Sequence, residues 1–223
     1  MQEFVLMGFL WYFVLVFSLT AHEAAHAFAG WRLGDPTAYH GGQVTLNPMP
    51  HIRREPFGMV ILPIITYAIG GWMMGWASAP YNPWWADRYP YRAALMSFAG
   101  PATNLAISLV AGLVLRWGLA SGFFDIDPNA SAFGAIVSGS FSFISIAFTL
   151  NLILAVFNML PVPPLDGSAL LEIMLRGSAL ETYRGWRRHP YAGIVGLLIA
   201  WHIFSPVFRP IHEAVMRVFF PGT

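Results

Sequence analysis

The chain has 223 residues; 57% are apolar and only 10% are charged, against about 25% in an ordinary soluble domain. Formal net charge is +1, every basic residue is Arg, and Cys is absent. These features exclude a soluble domain, a basic nucleic-acid-binding surface, disulfides and thiolate ligands. What remains is an all-α polytopic membrane protein, expected as a single domain over residues 1–223, in which any metal must be held by His, Asp or Glu.

The first predicted helix runs from Phe4 to Trp31, between Glu3 and Arg32. At 1.5 Å per residue it is roughly 40 Å long, enough to span a bilayer with tilt. Its start has no basic n-region and no small-residue cleavage site, so the helix is expected to stay in the mature protein. Its C-terminal part carries Thr20-Ala21-His22-Glu23-Ala24-Ala25-His26, an H-E-x-x-H motif. His22 and His26 lie one helical turn apart, so their rings share a face and can grip one metal ion. Glu23 beside them can reach a metal-bound water as a general base. Ionisable groups at membrane depth are costly and mark function by default. Trp31 beside Arg32 marks the interface, and Gly34-Asp35-Pro36 ends the helix.

Residues 37–57 are mixed. Gly41-Gly42 leads into Gln43-Val44-Thr45-Leu46, whose alternation predicts a short strand before the Asn47-Pro48 turn. This gives a β-hairpin-like loop whose edge could hold an extended peptide at Val44 and Thr45. His40 and His51 read as solvated loop histidines. Gly58 to Trp76 is apolar but broken by Pro63, Gly70, Gly71 and Gly75, and Ala77 to Tyr91 reads as an interfacial loop rich in Pro and Trp. Ala93 to Leu115 is a spanning helix; the small residues of its Phe98–Asn104 stretch allow close helix packing. A polar turn is expected over Ser121–Ala130, then a span from Phe133 to Leu160 with Asn151 and Asn158 inside it.

The next stretch is Asn158-Met159-Leu160-Pro161-Val162-Pro163-Pro164-Leu165-Asp166-Gly167. Its prolines stop the helix and impose an extended backbone, which is tolerated at membrane depth only where protein or a water-filled cavity surrounds it. Ser168 can cap a short helix to about Arg176, and residues 176–189 form a solvated basic stretch. Tyr191 to Phe208 is a last span, expected to end at Pro206, Arg209 and Pro210 before an amphipathic tail. His202 within it reads as a packed or snorkelling side chain.

A catalytic zinc takes three protein ligands and keeps one open position. Two are His22 and His26. Among the remaining carboxylates, Asp166 alone sits on a stretch whose irregular backbone implies a protein-lined cavity. For Asp166 to meet the histidines, the segment Gly58–Trp76 must return to the face it left, as a re-entrant or interfacial element, giving about four crossings in all. Nine Arg then fall on the active-site face and three on the other, the pattern that places this face in the cytoplasm.

These motifs resemble the site-2 protease family of intramembrane zinc metalloproteases. His22–His26 matches its first motif, Asn158–Gly167 its second, and Phe98–Asn104 its intervening A-G-P-x-x-N signature, over about residues 15–172. The resemblance implies Zn2+ bound by His22, His26 and Asp166, Glu23 as the base, and Asn158 helping to polarise the scissile carbonyl. Asn104 joins Val44 and Thr45 as an expected substrate contact. The chain looks most like the short, minimal members, without a PDZ domain or a nucleotide-binding module, and its catalytic core is expected at about 4–172. Those members usually carry H-I-D-P after the N-P turn. Here His51-Ile52-Arg53-Arg54-Glu55-Pro56 is two residues longer, and Ser78 stands where a Lys is frequent.

The function that follows is hydrolysis of peptide bonds in or near transmembrane segments of membrane proteins. The expected location is a prokaryotic cell membrane, the partners are transmembrane protein substrates and the lipid bilayer, and no nucleic acid is expected. A catalytically silent protein that recognises membrane helices is the alternative, and the intact Glu23 argues against it, because binding alone needs no base. A metal carrier would show further acidic or His residues along the spans, where only His202 occurs.

Overall fold

The computed structural model describes residues 2–128 and 131–221. In chain order the helices are α1 (Gln2–Leu33), α2 (Thr37–His40), α3 (Pro48–Arg54), α4 (Leu62–Gly70, entered through a π-helical turn, Phe57–Ile61), α5 (Pro83–Arg88), α6 (Pro90–Ala120), α7 (Ala132–Asn158), α8 (Ser168–Met174), α9 (Gly177–Arg187) and α10 (Ala192–Phe219). Among the described residues, four helices are long and apolar enough to cross a membrane: α1, α6, α7 and α10. The protein is an integral membrane protein. The polar turn expected over 121–130 is a turn and a short 3-10 helix, Phe123–Asp125; residues 129–130 lie outside the described residues.

Local chemistry sets the helix starts. Asn47 accepts a hydrogen bond from the Met49 N–H at 3.0 Å and Asn82 from the Trp84 N–H at 2.9 Å, each with a proline at the first helical position. Ser131 caps α7 through the Gly134 N–H at 3.1 Å. The centre is α1 packed on α6 and α7, with Val14, Leu15 and Leu19 of α1 against Ile146 and Leu150 of α7. Bilayer lipid is as apolar as these side chains, so close packing and buried hydrogen bonds hold the helices together rather than hydrophobic transfer. One such bond runs from Ser108 Oγ to the Phe148 carbonyl at 2.8 Å.

Residues 57–76 form a re-entrant hairpin with one helical and one extended leg. The helical leg runs along α1 until Tyr67 stacks on Phe4 and donates to its carbonyl at 2.7 Å. Gly71, at φ +70°, turns the chain, a conformation that favours glycine. The return leg is pinned by the Met74 N–H on Thr66 Oγ1 at 3.0 Å and the Trp76 N–H on the Gly58 carbonyl at 3.2 Å. Both ends of the hairpin therefore lie together. A Cβ on Gly75 would come within 2.7 Å of the Gly58 carbonyl oxygen, so the two legs meet this closely only because glycines stand there. The helix ends agree with this return: Arg92 of α6 donates to the Leu33 carbonyl of α1 at 3.3 Å, while Arg116 donates to the Val218 carbonyl at the opposite end.

Two expectations are corrected. No strand occurs among the described residues, and 43–46 is a bent loop. Its polar groups bond inside the loop: the Gln43 N–H to the Ala38 carbonyl at 3.0 Å, the Thr45 carbonyl to His51 Nε2 at 3.1 Å, and Thr45 Oγ1 to the Asn47 N–H at 3.1 Å. Between α2 and α3 there is no room for a pairing strand, so alternation over four residues has nothing to act on. The last span also does not stop at its prolines. α10 continues through Pro206 and Pro210 to Phe219, since a membrane helix tolerates the loss of the hydrogen bonds that proline removes.

Candidate metal centre

α1 buries the face that carries Ser18, His22 and His26 against α6 and α7. His22 Nε2 lies 3.1 Å and His26 Nε2 3.2 Å from Asp166 Oδ2, and the two ring nitrogens are 2.9 Å apart. Ligand atoms about 2.0–2.1 Å from a tetrahedral zinc are about 3.3–3.4 Å from one another, close to this triangle. Among the described residues no other trio of His, Asp or Glu gathers in this way.

The proton bookkeeping of the trio decides what it can hold. His26 Nδ1 faces the Met96 backbone carbonyl at 2.8 Å, which can only accept, so Nδ1 carries the proton. His22 Nδ1 faces Asn104 Oδ1 and is protonated for the same reason. Both Nε2 lone pairs then point at each other and at a carboxylate oxygen. Three electron-pair donors converging without a shared proton fit a cation. Gly100 of α6 leaves the room: a Cβ there would lie 2.5 Å from His22 Nε2 and closer still to His26 Nε2.

Asp166 comes from the proline-rich turn after α7. The Gly167 N–H donates to the Asn158 carbonyl at 2.7 Å and the Leu165 N–H to the Val162 carbonyl at 3.0 Å, so the carboxylate sits on a fixed backbone. The far side of this turn rests on α10, where Ala192, Gly196 and Ala200 are the buried positions of its first turns. A Cβ on Gly196 would collide with the Pro163 carbonyl, and Ala200 packs against Leu160 and Leu165.

A cavity of about 210 Å³ opens beside the trio, lined by His22, Glu23, His26, Asn158 and Asp166 together with residues 77–81. Glu23 is 5% exposed. Asn158 Nδ2 bonds the Leu154 carbonyl at 3.0 Å, which leaves its second amide hydrogen free of that bond. Asp35, at the end of α1, is 3% exposed and also borders the cavity. It accepts from the Thr37 N–H at 3.1 Å and, across the cavity mouth, from the Asn82 N–H at 2.8 Å.

The chain's match to known proteins covers the trio and the residues that line the cavity. The sequence model of peptidase family M50 matches residues 10–199. The chain belongs to this family. Among curated relatives, "Putative zinc metalloprotease YwhC" of Bacillus subtilis is 35% identical over 159 residues, 71% of this chain and 65% of that one. "Putative zinc metalloprotease Rip2" of Mycolicibacterium smegmatis is 32% identical over 183 residues, 82% of this chain and 63% of that one. Rip2 of Mycobacterium tuberculosis is 34% identical over 182 residues, 82% and 62%. The chain thus spans under two thirds of the length of these relatives. No solved structure matches it.

The structure thus places His22, His26 and Asp166 together, with Glu23 and Asn158 at the cavity wall. Three expected substrate contacts are elsewhere. Val44 and Thr45 belong to the loop tied down by His51 and do not line the cavity. Asn104 is wholly buried behind His22, on the side away from the cavity. His51 is not solvated but 1% exposed, whereas His40 and His202 are exposed and join no ligand group. In the sequence Asp35 reads only as part of the Gly34-Asp35-Pro36 helix stop. Gly196 and Ala200 do carry a signal: Ala192, Gly196 and Ala200 repeat small residues at one-turn spacing, the pattern of close packing in membrane helices.

Proposed function

We propose that this chain is an intramembrane zinc metallopeptidase that hydrolyses peptide bonds in or near transmembrane segments of membrane proteins. The observation that carries this reading is the convergence of the His22 and His26 Nε2 atoms and one Asp166 carboxylate oxygen beside a cavity whose wall includes Glu23. His22, His26 and Asp166 would hold the zinc. When bound, zinc supplies Lewis acidity, bringing the pKa of water toward about 7 and polarising the scissile carbonyl.

The remaining roles fall to the chain's own side chains. Glu23 takes a proton from the attacking water and returns it to the nitrogen of the leaving amine. The free amide hydrogen of Asn158 donates to the carbonyl oxygen as negative charge develops on it. The α1–α6–α7 core keeps lipid away from the trio, and water enters where the cavity opens beside residues 77–81. A helical substrate must unwind locally, because its carbonyls are otherwise engaged in helical hydrogen bonds. Nine of the twelve Arg lie at the cavity end of the spans, which supports a cytoplasmic opening.

The test is incubation of the purified protein with single-span membrane proteins in detergent, with a chelator and with zinc restored. Cleavage that the chelator stops and zinc revives is expected. Cleavage that continues in full with the metal removed overturns the reading.

A further inference from the structure

Behind His22, away from the cavity, lies a closed hydrogen-bond chain that none of the roles above uses. Asn151 of α7, fully buried, donates both amide hydrogens: to Ser18 Oγ of α1 at 2.9 Å and to its own helix at the Ala147 carbonyl, also 2.9 Å. Its Oδ1 accepts from Asn104 Nδ2 of α6 at 2.8 Å. Asn104 Nδ2 points its second hydrogen at the Ser18 carbonyl, 3.4 Å away, and Asn104 Oδ1 accepts a hydrogen bond from the His22 Nδ1–H. Ser18, Asn104 and Asn151 are each 0% exposed.

The polarity of this chain is fixed at its far end. A backbone carbonyl can only accept, so the Ala147 carbonyl forces the Asn151 NH2 toward itself and the Asn151 oxygen toward Asn104. That oxygen, with the Ser18 carbonyl, forces the Asn104 NH2 toward them and the Asn104 oxygen toward His22. A flipped Asn104 would set its oxygen against two acceptors and its NH2 against a protonated Nδ1, leaving buried groups unpaired at low dielectric.

We propose that Asn151 is a positioning residue for the metal centre: through Asn104 it holds His22 in the tautomer that protonates Nδ1 and frees Nε2 for the metal. The relay draws one residue from each of the three core helices, so their packing and the state of the ligand are coupled. This inference rests on the zinc reading above.

The test uses the full chain and zinc affinity by chelator competition, with the visible absorption of the cobalt-substituted protein as a second readout. Asn151→Leu releases the Asn104 amide and is expected to weaken zinc binding by about 10–100-fold, the usual effect of losing an outer partner of a metal-bound His. The deciding variant adds Asn104→Asp. A carboxylate accepts through either oxygen, so its orientation needs no partner, and the double variant should regain affinity within a few-fold of wild type and the wild-type cobalt spectrum. Asn104→Asp alone sets an oxygen against Asn151 Oδ1 and is expected to bind more weakly than the double variant. If Asn151 serves only packing, the double variant will bind no better than Asn151→Leu, which overturns the proposal. Should the leucine variants not fold, 15N shifts of the His22 ring in the unaltered zinc protein decide: a protonated Nδ1 with metal at Nε2 is required, and the reverse overturns it. Wild-type protein that takes up no zinc fails the underlying reading instead, whereas zinc bound equally well by wild type and Asn151→Leu fails this inference alone.

Discussion

Gly100 of α6 faces His22 Nε2 of α1 so closely that a Cβ on Gly100 would stand 2.5 Å from that nitrogen. The space for a metal is therefore the missing side chain of a residue on another helix. Gly100→Ala puts a methyl group where the ion belongs and can be relieved only by moving backbone or both rings. Metal analysis should show zinc content falling from about one per chain to near zero, with the helical circular dichroism of the folded protein retained.

Glu23 is the one carboxylate at the cavity wall beside the histidines that is outside the ligand trio, apart from Asp35 at the mouth. Glu23→Gln keeps its size and removes the base. Turnover should fall by about 10²–10⁴-fold while zinc content stays unchanged. Wild-type turnover by this variant would remove Glu23 as the base, whereas no turnover by wild type and variant alike would favour the silent helix-binding alternative.

Asp35 ties the cavity wall to α1 through the Asn82 N–H at 2.8 Å. Asp35→Ala leaves that donor and the Thr37 groups without their acceptor, a loss of about 1–3 kcal/mol. The distance from the zinc trio predicts which quantity moves. KM for a membrane substrate should rise about tenfold as the 77–81 wall loosens, with zinc still at about one per chain. Loss of the metal in parallel would place Asp35 in the ligand scaffold instead.

Gly196 acts on the centre from behind. Gly196→Val would press on the Pro163 carbonyl and shift the turn that presents Asp166. Overpacking of this kind costs about 1–3 kcal/mol, so zinc affinity should weaken by about 10–100-fold by chelator competition. Leu198, exposed to lipid on the same helix, supplies the control: Leu198→Val should leave the affinity unchanged.

The legible part of this protein is the part written in local chemistry. His22, Glu23 and His26 stand out because a one-turn spacing of ligands in an apolar helix has few other uses. Asp166 stands out because three prolines announce irregular backbone at membrane depth. The return of residues 58–76 follows from helix parity and the Arg distribution, and the Trp76–Gly58 hydrogen bond realises it. What stayed illegible depends on partners brought together from distant positions. Four alternating residues at 43–46 look like a strand until α2 and α3 close in on either side. Asn104 looks like a substrate contact until Asn151, 47 positions away, turns its amide to His22. Proline reads as a stop at 206 and 210, although a membrane helix continues through it.

The most direct test of the account is zinc stoichiometry in the purified wild-type protein and in Asp166→Ala. The triangle of His22, His26 and Asp166 predicts about one zinc per chain in the first. Loss of the carboxylate leaves two neutral imidazoles, and Asp166→Ala should lose most of its zinc after dialysis against a weak chelator. Wild-type protein without zinc, or an Asp166→Ala variant that keeps its full complement, would contradict the site on which the whole reading stands.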